Sequence, residues 1–162
     1  MTFRQCYIDR HDRSVDHIHD ELMKSPLYKD AKFFKNKVIN HNVIPNLDAS
    51  ELRHTKPDIL VLDERNKVAF IVEVSHPYDA FLDKCYNTKF EKYTPLSMEI
   101  ARAGFKCKVV ALIIGSLGYV HKRFVPGLKL LGLNQIRSKA IGRFLSVSSM
   151  IGSYRVWRRR WR

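Results

Sequence analysis

Pro57-Asp58-Ile59-Leu60-Val61-Leu62 and Val68-Ala69-Phe70-Ile71-Val72-Glu73-Val74-Ser75 are two apolar runs separated by Asp63-Glu64-Arg65-Asn66. Their β-branched and aromatic residues favour strands and the polar tetrad suits a turn, so the stretch predicts a hairpin. In register, Asp58 at the start of one strand lies beside Glu73 near the end of the other, and two carboxylates converge at one end of the sheet. A carboxylate inside the apolar run around Glu73 is costly unless it is paired or bound to a metal. Hard oxygen ligands of this kind suit Mg²⁺ or Mn²⁺ rather than zinc, and such an ion activates water for phosphodiester hydrolysis. The competing reading has Asp58 capping a turn and Glu73 paired with a basic side chain.

Outward from the hairpin, residues 9–24 carry Val15, Ile18 and Leu22 at helical spacing behind Asp9 and Asp12 as caps, and Pro26 ends that helix. Residues 37–44 alternate loosely through Val38, Asn40, Asn42 and Ile44 and predict a short strand; residues 45–56 predict a loop. After the hairpin, residues 79–93 place Phe81, Leu82, Cys85, Tyr86 and Phe90 on a helical stripe. Thr94 and Pro95 then cap a kinked continuation that stops at Gly104. Residues 107–114 form an apolar run of strand length. From Val125 onward the pattern is helical, with Leu128, Leu131, Ile136, Ile141 and Leu145 as core positions. Helix, antiparallel strands, crossover helix, strand and helices predict one α/β domain over residues 1–162, a mixed β-sheet flanked by helices.

On the crossover helix, Lys89, Lys92 and Tyr93 are spaced by three and four and share a face. Aimed at the carboxylates, a lysine there stabilises an attacking hydroxide or a scissile phosphate; the competing reading is a solvated basic stripe.

With 45% hydrophobic and 28% charged residues in 162, the composition excludes a disordered, collagen-like or disulfide-scaffold protein. No apolar run reaches membrane-span length and the first residues lack a signal-peptide core, so a soluble, unsecreted protein with no membrane partner is expected. Cys6, Cys85 and Cys107 form no paired motif, which predicts a reducing compartment. The formal net charge of +13 is uneven: residues 101–162 hold 14 Lys and Arg and no acid. A phosphate backbone is the first partner such asymmetry indicates, ahead of an anionic membrane or mere solubility. Lys122, Arg123, Arg155, Arg158, Arg159 and Arg160 are its candidate phosphate contacts. Trp157 and Trp161 bracket the arginines at helical spacing, placed either to stack on nucleotides or to pack on the core. The histidines show no metal-ligand spacing, and His54 and His76 flank the hairpin acids in sequence.

Pro57-Asp58, Glu73-Val74-Ser75 and Lys89-Phe-Glu-Lys92-Tyr93 together resemble the PD-(D/E)XK nucleases, and more narrowly the restriction-like endonuclease domain of site-specific non-LTR retrotransposons. In that family the motif lysine has left the strand for the following helix, within a K-x-x-K-Y element. Arg10-His11-Asp12, Gly115-Ser-Leu-Gly118, Leu131-Gly132-Leu133 and the serine-bearing, basic and aromatic C-terminal helix extend the resemblance over nearly the whole chain. It implies a restriction-endonuclease-like fold and Mg²⁺ or Mn²⁺ held by Asp58 and Glu73. Lys89 becomes the catalytic lysine, with Lys92 and Tyr93 accessory near the phosphate. Glu21 on the first helix is a further candidate ligand, and Arg10 and His11 join the DNA contacts.

The family usually has Asp where Glu73 stands, a change of one methylene in reach. Cys6 sits where the last cysteine of the family's upstream zinc knuckle lies; its other ligands are missing here, so no zinc is expected in this chain alone. The implied activity is nicking of double-stranded DNA to leave a 3′-hydroxyl that a covalently linked reverse transcriptase extends. Other nucleic-acid-binding modules are implied alongside, in the nucleus. A junction-resolving nuclease of the same fold and a non-catalytic nucleic-acid-binding module are the alternatives.

Overall fold

The computed structural model describes residues 2–160, apart from the side chain of Phe3. Strands β1 (Lys32–Lys35), β2 (Ile59–Asp63), β3 (Val68–Ser75) and β4 (Lys106–Ile113) form one sheet in that order. Helices α1 (Phe3–Met23), α2 (Leu82–Arg102), α3 (Phe124–Leu130) and α4 (Gln135–Arg160) flank it. β1, β2 and β3 are antiparallel neighbours, whereas β4 is parallel to β3, which requires the crossover that α2 supplies. The chain is therefore mixed α/β, as its pattern predicts.

Period-two alternation divides the strand residues between two cores. Ile59, Val61, Phe70, Val72 and Val74 pack against Val15, Ile18 and Leu22 of α1 and against α3 and α4. Leu60, Leu62, Ala69 and Ile71 pack against Tyr93, Leu96 and Ile100 of α2. Both faces are covered, which is why β2 is buried along its whole length and reads as an unbroken apolar run.

Several sequence expectations need correction. Residues 37–44 are not a strand: the Asn40 side chain accepts from the Asn42 N–H, and its carbonyl accepts from Val43 and Ile44, so asparagine chemistry makes a turn. Its apolar residues Ile39, Val43 and Ile44 still enter the α2-side core from that loop. The strand that pairs with β2 is instead Lys32–Lys35, whose two lysines flank only two phenylalanines and whose end is set by Asn36 at φ 51°. α1 starts earlier than expected, capped by Thr2, whose hydroxyl accepts from the Gln5 N–H at 3.1 Å; Asp9 and Asp12 lie within the helix. α2 runs continuously through Pro95, and Thr94 bonds back to the Phe90 carbonyl rather than capping a new segment. Phe81 and Phe90 are exposed, because the buried stripe of α2 runs through Leu82, Tyr93, Leu96 and Ile100. Ile136 is 83% exposed in the first turn of α4, outside the core that holds Leu128, Leu131, Ile141 and Leu145.

Candidate active site

The β2–β3 register pairs Ile59 with Val72, so Asp58, the residue before β2, comes beside Glu73; alternation points Glu73 toward α2, while the Asp58 carboxylate turns to the Val74 N–H and to His11 of α1. The buried stripe of α2 reads Ile100, Leu96, Tyr93 toward its N-terminus, and the next residue at that spacing is Lys89. Strand register and helix periodicity thus bring two acids and a lysine to one sheet end.

The contacts are tight. Glu73 is 1% exposed; its Oε2 takes Lys89 Nζ at 2.8 Å and its Oε1 accepts the Asp58 N–H at 3.1 Å. Asp58 Oδ2 accepts the Val74 N–H at 2.8 Å and faces His11 Nε2 at 3.2 Å. Each acid therefore fixes the backbone of the opposite strand. Burial alone lowers the pKa of the Lys89 ammonium, but the charge and hydrogen bond of Glu73, with smaller help from Asp58 and Cys85, outweigh it and the net shift is upward, so Lys89 is charged at neutral pH. Tyr93 is 2% exposed and its hydroxyl donates to the Lys56 carbonyl at 2.9 Å; burial, then the charge of Glu73, pushes its phenol pKa up. It anchors the chain that enters Pro57-Asp58. Lys92 does not reach the acids: its Nζ lies 4.6 Å from the centre of the Tyr93 ring. His54 also reaches Tyr93, its ring centre 6.5 Å from that of the phenol.

His11 comes to the site rather than to the outer surface. Its hydrogen bond to Asp58 leads the effects that raise its pKa to about 9, so it donates to Oδ2 as an imidazolium. Glu21 does not join it. The two are ten residues apart on α1, about 15 Å along the axis, and Glu21 is bound to Arg137 Nε at 2.6 Å and Lys24 Nζ at 3.0 Å. Those cations hold its carboxyl below the usual range, Arg137 first.

Arg10, expected on the DNA, is 7% exposed and belongs to the interior. Its guanidinium donates to Ser153 Oγ at 2.6 Å and to the His76 carbonyl at 3.2 Å, and a Cβ at Gly152 would lie 2.7 Å from its Cγ. Glycine at 152 is what lets α4 pass over it. The His76 ring is held between Ser149 Oγ at 3.1 Å and Ser14 Oγ at 2.9 Å. Ser149 gives its proton to the Gly115 carbonyl, so His76 Nδ1–H is the donor to Ser149, and Nε2 faces the Ser14 hydroxyl, which also lies 3.3 Å from the Arg10 carbonyl. Ser146, Ser149 and Ser153, one helical face of α4, bond the carbonyls of Gly118, Gly115 and Ser116, locking the Gly115–Gly118 turn to the helix.

Burial, then the charge of Arg10, pushes the His76 imidazole down to about 3 from its ordinary 6.5. The unfolded chain therefore takes up this proton first, so the stability of the neutral ring is complete above pH 6.5 and falls toward pH 3. The loss is about 1.4 kcal/mol per pH unit. His76→Gln should flatten the acid limb of urea midpoints measured between pH 4 and 7; an unchanged slope would assign acid sensitivity to other groups.

The remaining basic candidates stay at the surface. Lys122 Nζ pairs with Asp83 at 3.0 Å, and the Arg123 guanidinium lies 5.3 Å from the Tyr86 ring centre. Arg155, Arg158, Arg159, Arg160 and Trp157 are exposed on the last turns of α4. The first three line a groove of about 290 Å³ with Arg13 and Asp9 of α1. Trp161 lies outside the described residues, and Cys6 is a buried free thiol. Among the described residues no three His, Cys, Asp or Glu side chains gather into a metal-holding group. No family model and no curated protein matches this chain.

Proposed function

We propose that the chain is a metal-dependent endodeoxyribonuclease with a restriction-endonuclease-like fold, which hydrolyses a phosphodiester to nick double-stranded DNA and leaves a 3′-hydroxyl. The observation that carries this reading is Glu73, a carboxylate 1% exposed at a strand end, opposite Asp58 and 2.8 Å from Lys89. A buried ion pair is weak as a device for stability alone, whereas two acids beside a lysine are what metal-assisted phosphate hydrolysis needs. The mixed sheet flanked by helices agrees with the fold that the sequence resemblance implies.

The donor set fits a hard cation. Asp58 Oδ1 has no protein partner among the described residues, and Mg²⁺ keeps several waters, so two carboxylates suffice as side-chain ligands. Asp58 and Glu73 would hold Mg²⁺ or Mn²⁺, which when bound lowers the pKa of a water and neutralises phosphate charge. Lys89, charged and tethered to Glu73, donates to the attacking oxygen or the scissile phosphate as negative charge builds. His11 steadies Asp58 through Oδ2, and Tyr93 remains a neutral phenol that fixes the preceding backbone. Lys92 has an accessory role. Extension of the nick by a linked reverse transcriptase, target choice by other modules and a nuclear location belong to the same proposal.

Supercoiled plasmid incubated with the chain and Mg²⁺ should become open circle whose ends a DNA polymerase extends. Ends that no polymerase extends would remove the hydrolytic polarity proposed. Replacing Arg155, Arg158 and Arg159 together by serine should weaken binding to unrelated duplexes equally. It should also flatten the salt dependence by up to about 0.9 log units for each phosphate no longer neutralised. An unchanged slope would leave these residues as a solvated helix end complementing the α4 dipole.

A further inference from the structure

On the α1 and α4 side of the site lies a cavity of about 310 Å³ bounded by Tyr7, Tyr78 and Trp157 together with Arg10, His76 and Arg160. Its place beside the carboxylates follows from the chain. Arg10 precedes His11, which reaches Asp58 at 3.2 Å. His76 lies three residues beyond Glu73, about 10 Å of extended backbone, on the order of three nucleotide steps along one DNA strand.

The walls are aromatic and open to solvent: Tyr7 is 43% exposed, and Tyr78 and Trp157 are each 59% exposed. Trp157 is stacked at 6.0 Å on Tyr154 and Tyr78 lies 6.3 Å from Phe81, ring centre to ring centre, and their exposure still leaves apolar ring surface at one opening for a flat ligand. At the base of the cavity, Arg10 has only neutral hydrogen-bond partners. Its Nε has none, and no carboxylate pairs with it among the described residues. A buried cation held by neutral groups raises the positive potential of the cavity, and Arg160 adds to it at the edge. Flat faces with an anion-seeking base and edge match a nucleotide: its nucleobase on the rings, its phosphate toward the arginines. A paired nucleobase keeps its faces stacked within the duplex, so only an unpaired one can lie against these rings. The cavity is at the small end of ligand sites, room for one nucleobase.

We infer that this cavity takes an unpaired nucleotide of the DNA strand lying at the carboxylates, its nucleobase stacked on Trp157 and Tyr78. The inference rests on the nucleic-acid reading above and adds a substrate preference: DNA with a single-stranded overhang or flap beside the cut binds better than blunt duplex.

The test is anisotropy with a labelled blunt duplex and the same duplex carrying a short single-stranded overhang, in EDTA so that no strand is cut. Wild type should bind the overhang duplex about tenfold more tightly, the gain of one stacked nucleobase. Trp157→Ala should reduce that preference to about twofold or less, with a smaller loss on the blunt duplex than on the overhang duplex, while Trp157→Phe should restore it. Trp157 is exposed, so its removal leaves the core intact, and circular dichroism checks this. Equal affinity of wild type for the two DNAs, or a preference that survives Trp157→Ala, would overturn the inference. A preserved preference in a chain that cuts no DNA would overturn the nuclease reading alone; cutting without a preference would overturn the stacking cleft alone.

Discussion

Glu73→Gln and Asp58→Asn should each reduce strand cleavage by about 10³-fold or more while leaving duplex affinity near that of wild type. These amides are the informative variants because they preserve shape. Gln at 73 can still accept the Asp58 N–H, and Asn at 58 can still accept the Val74 N–H, so the sheet end stays closed. What each removes is one of two anionic oxygen donors for a divalent ion. The ion's contribution to charge stabilisation is several kcal/mol, and each 1.36 kcal/mol is tenfold in rate. Single-turnover cleavage of a labelled duplex reads the loss, and anisotropy reads the binding. Cleavage at wild-type rate by either variant would remove its carboxylate from the chemistry.

Lys89→Ala should show two losses with different remedies. Cleavage should fall by about 10²- to 10³-fold, the usual cost of removing one positioned electrostatic donor, with metal binding retained because the lysine is not a ligand. Stability in EDTA should fall by about 3 kcal/mol, because the Glu73 side chain, 2% exposed, is left as a buried charge without its partner. Mg²⁺ should recover part of the stability but not the rate. Denaturant titration with and without the ion separates the two. Lys92→Ala should be mild in both measurements, since Lys92 touches the Tyr93 ring and not the acids. An inactive Lys92→Ala beside a normal Lys89→Ala would reverse the roles assigned on this helix.

The parts of this architecture that were legible in the sequence are those governed by local period. The hairpin was readable because its residues are β-formers joined by a polar turn, and the pairing of Asp58 with Glu73 follows from that register. Lys89 was readable because three- and four-residue spacing on α2 is fixed by helix geometry. What the sequence hid depends on docking between distant segments. His11 meets Asp58 across 47 positions, set by how α1 lies on the sheet, and no spacing within either segment encodes it. Arg10 reads as a surface cation until α4 is packed over it, and the signal that permits this is a single glycine at 152. The inward face of α4 carries Ser138, Gly142, Ser149 and Gly152 among its apolar residues, so hydropathy does not mark it. Glu21 faces Arg137, from the far end of the chain, rather than the site. The strand misplaced to residues 37–44 shows the same limit, since loose alternation with two asparagines satisfies a strand pattern and an Asx turn equally.

The central claim is that Asp58, Glu73 and Lys89 form a metal-dependent centre for phosphodiester hydrolysis. Nicking of supercoiled plasmid by the purified chain, followed as Mg²⁺ or Mn²⁺ is titrated from zero with an EDTA arm, tests it most directly. The expected result is no open circle in EDTA, a rate that rises and saturates with metal, and no such rise for Glu73→Gln. Nicking that persists in EDTA, or that rises with metal equally in Glu73→Gln, would contradict it.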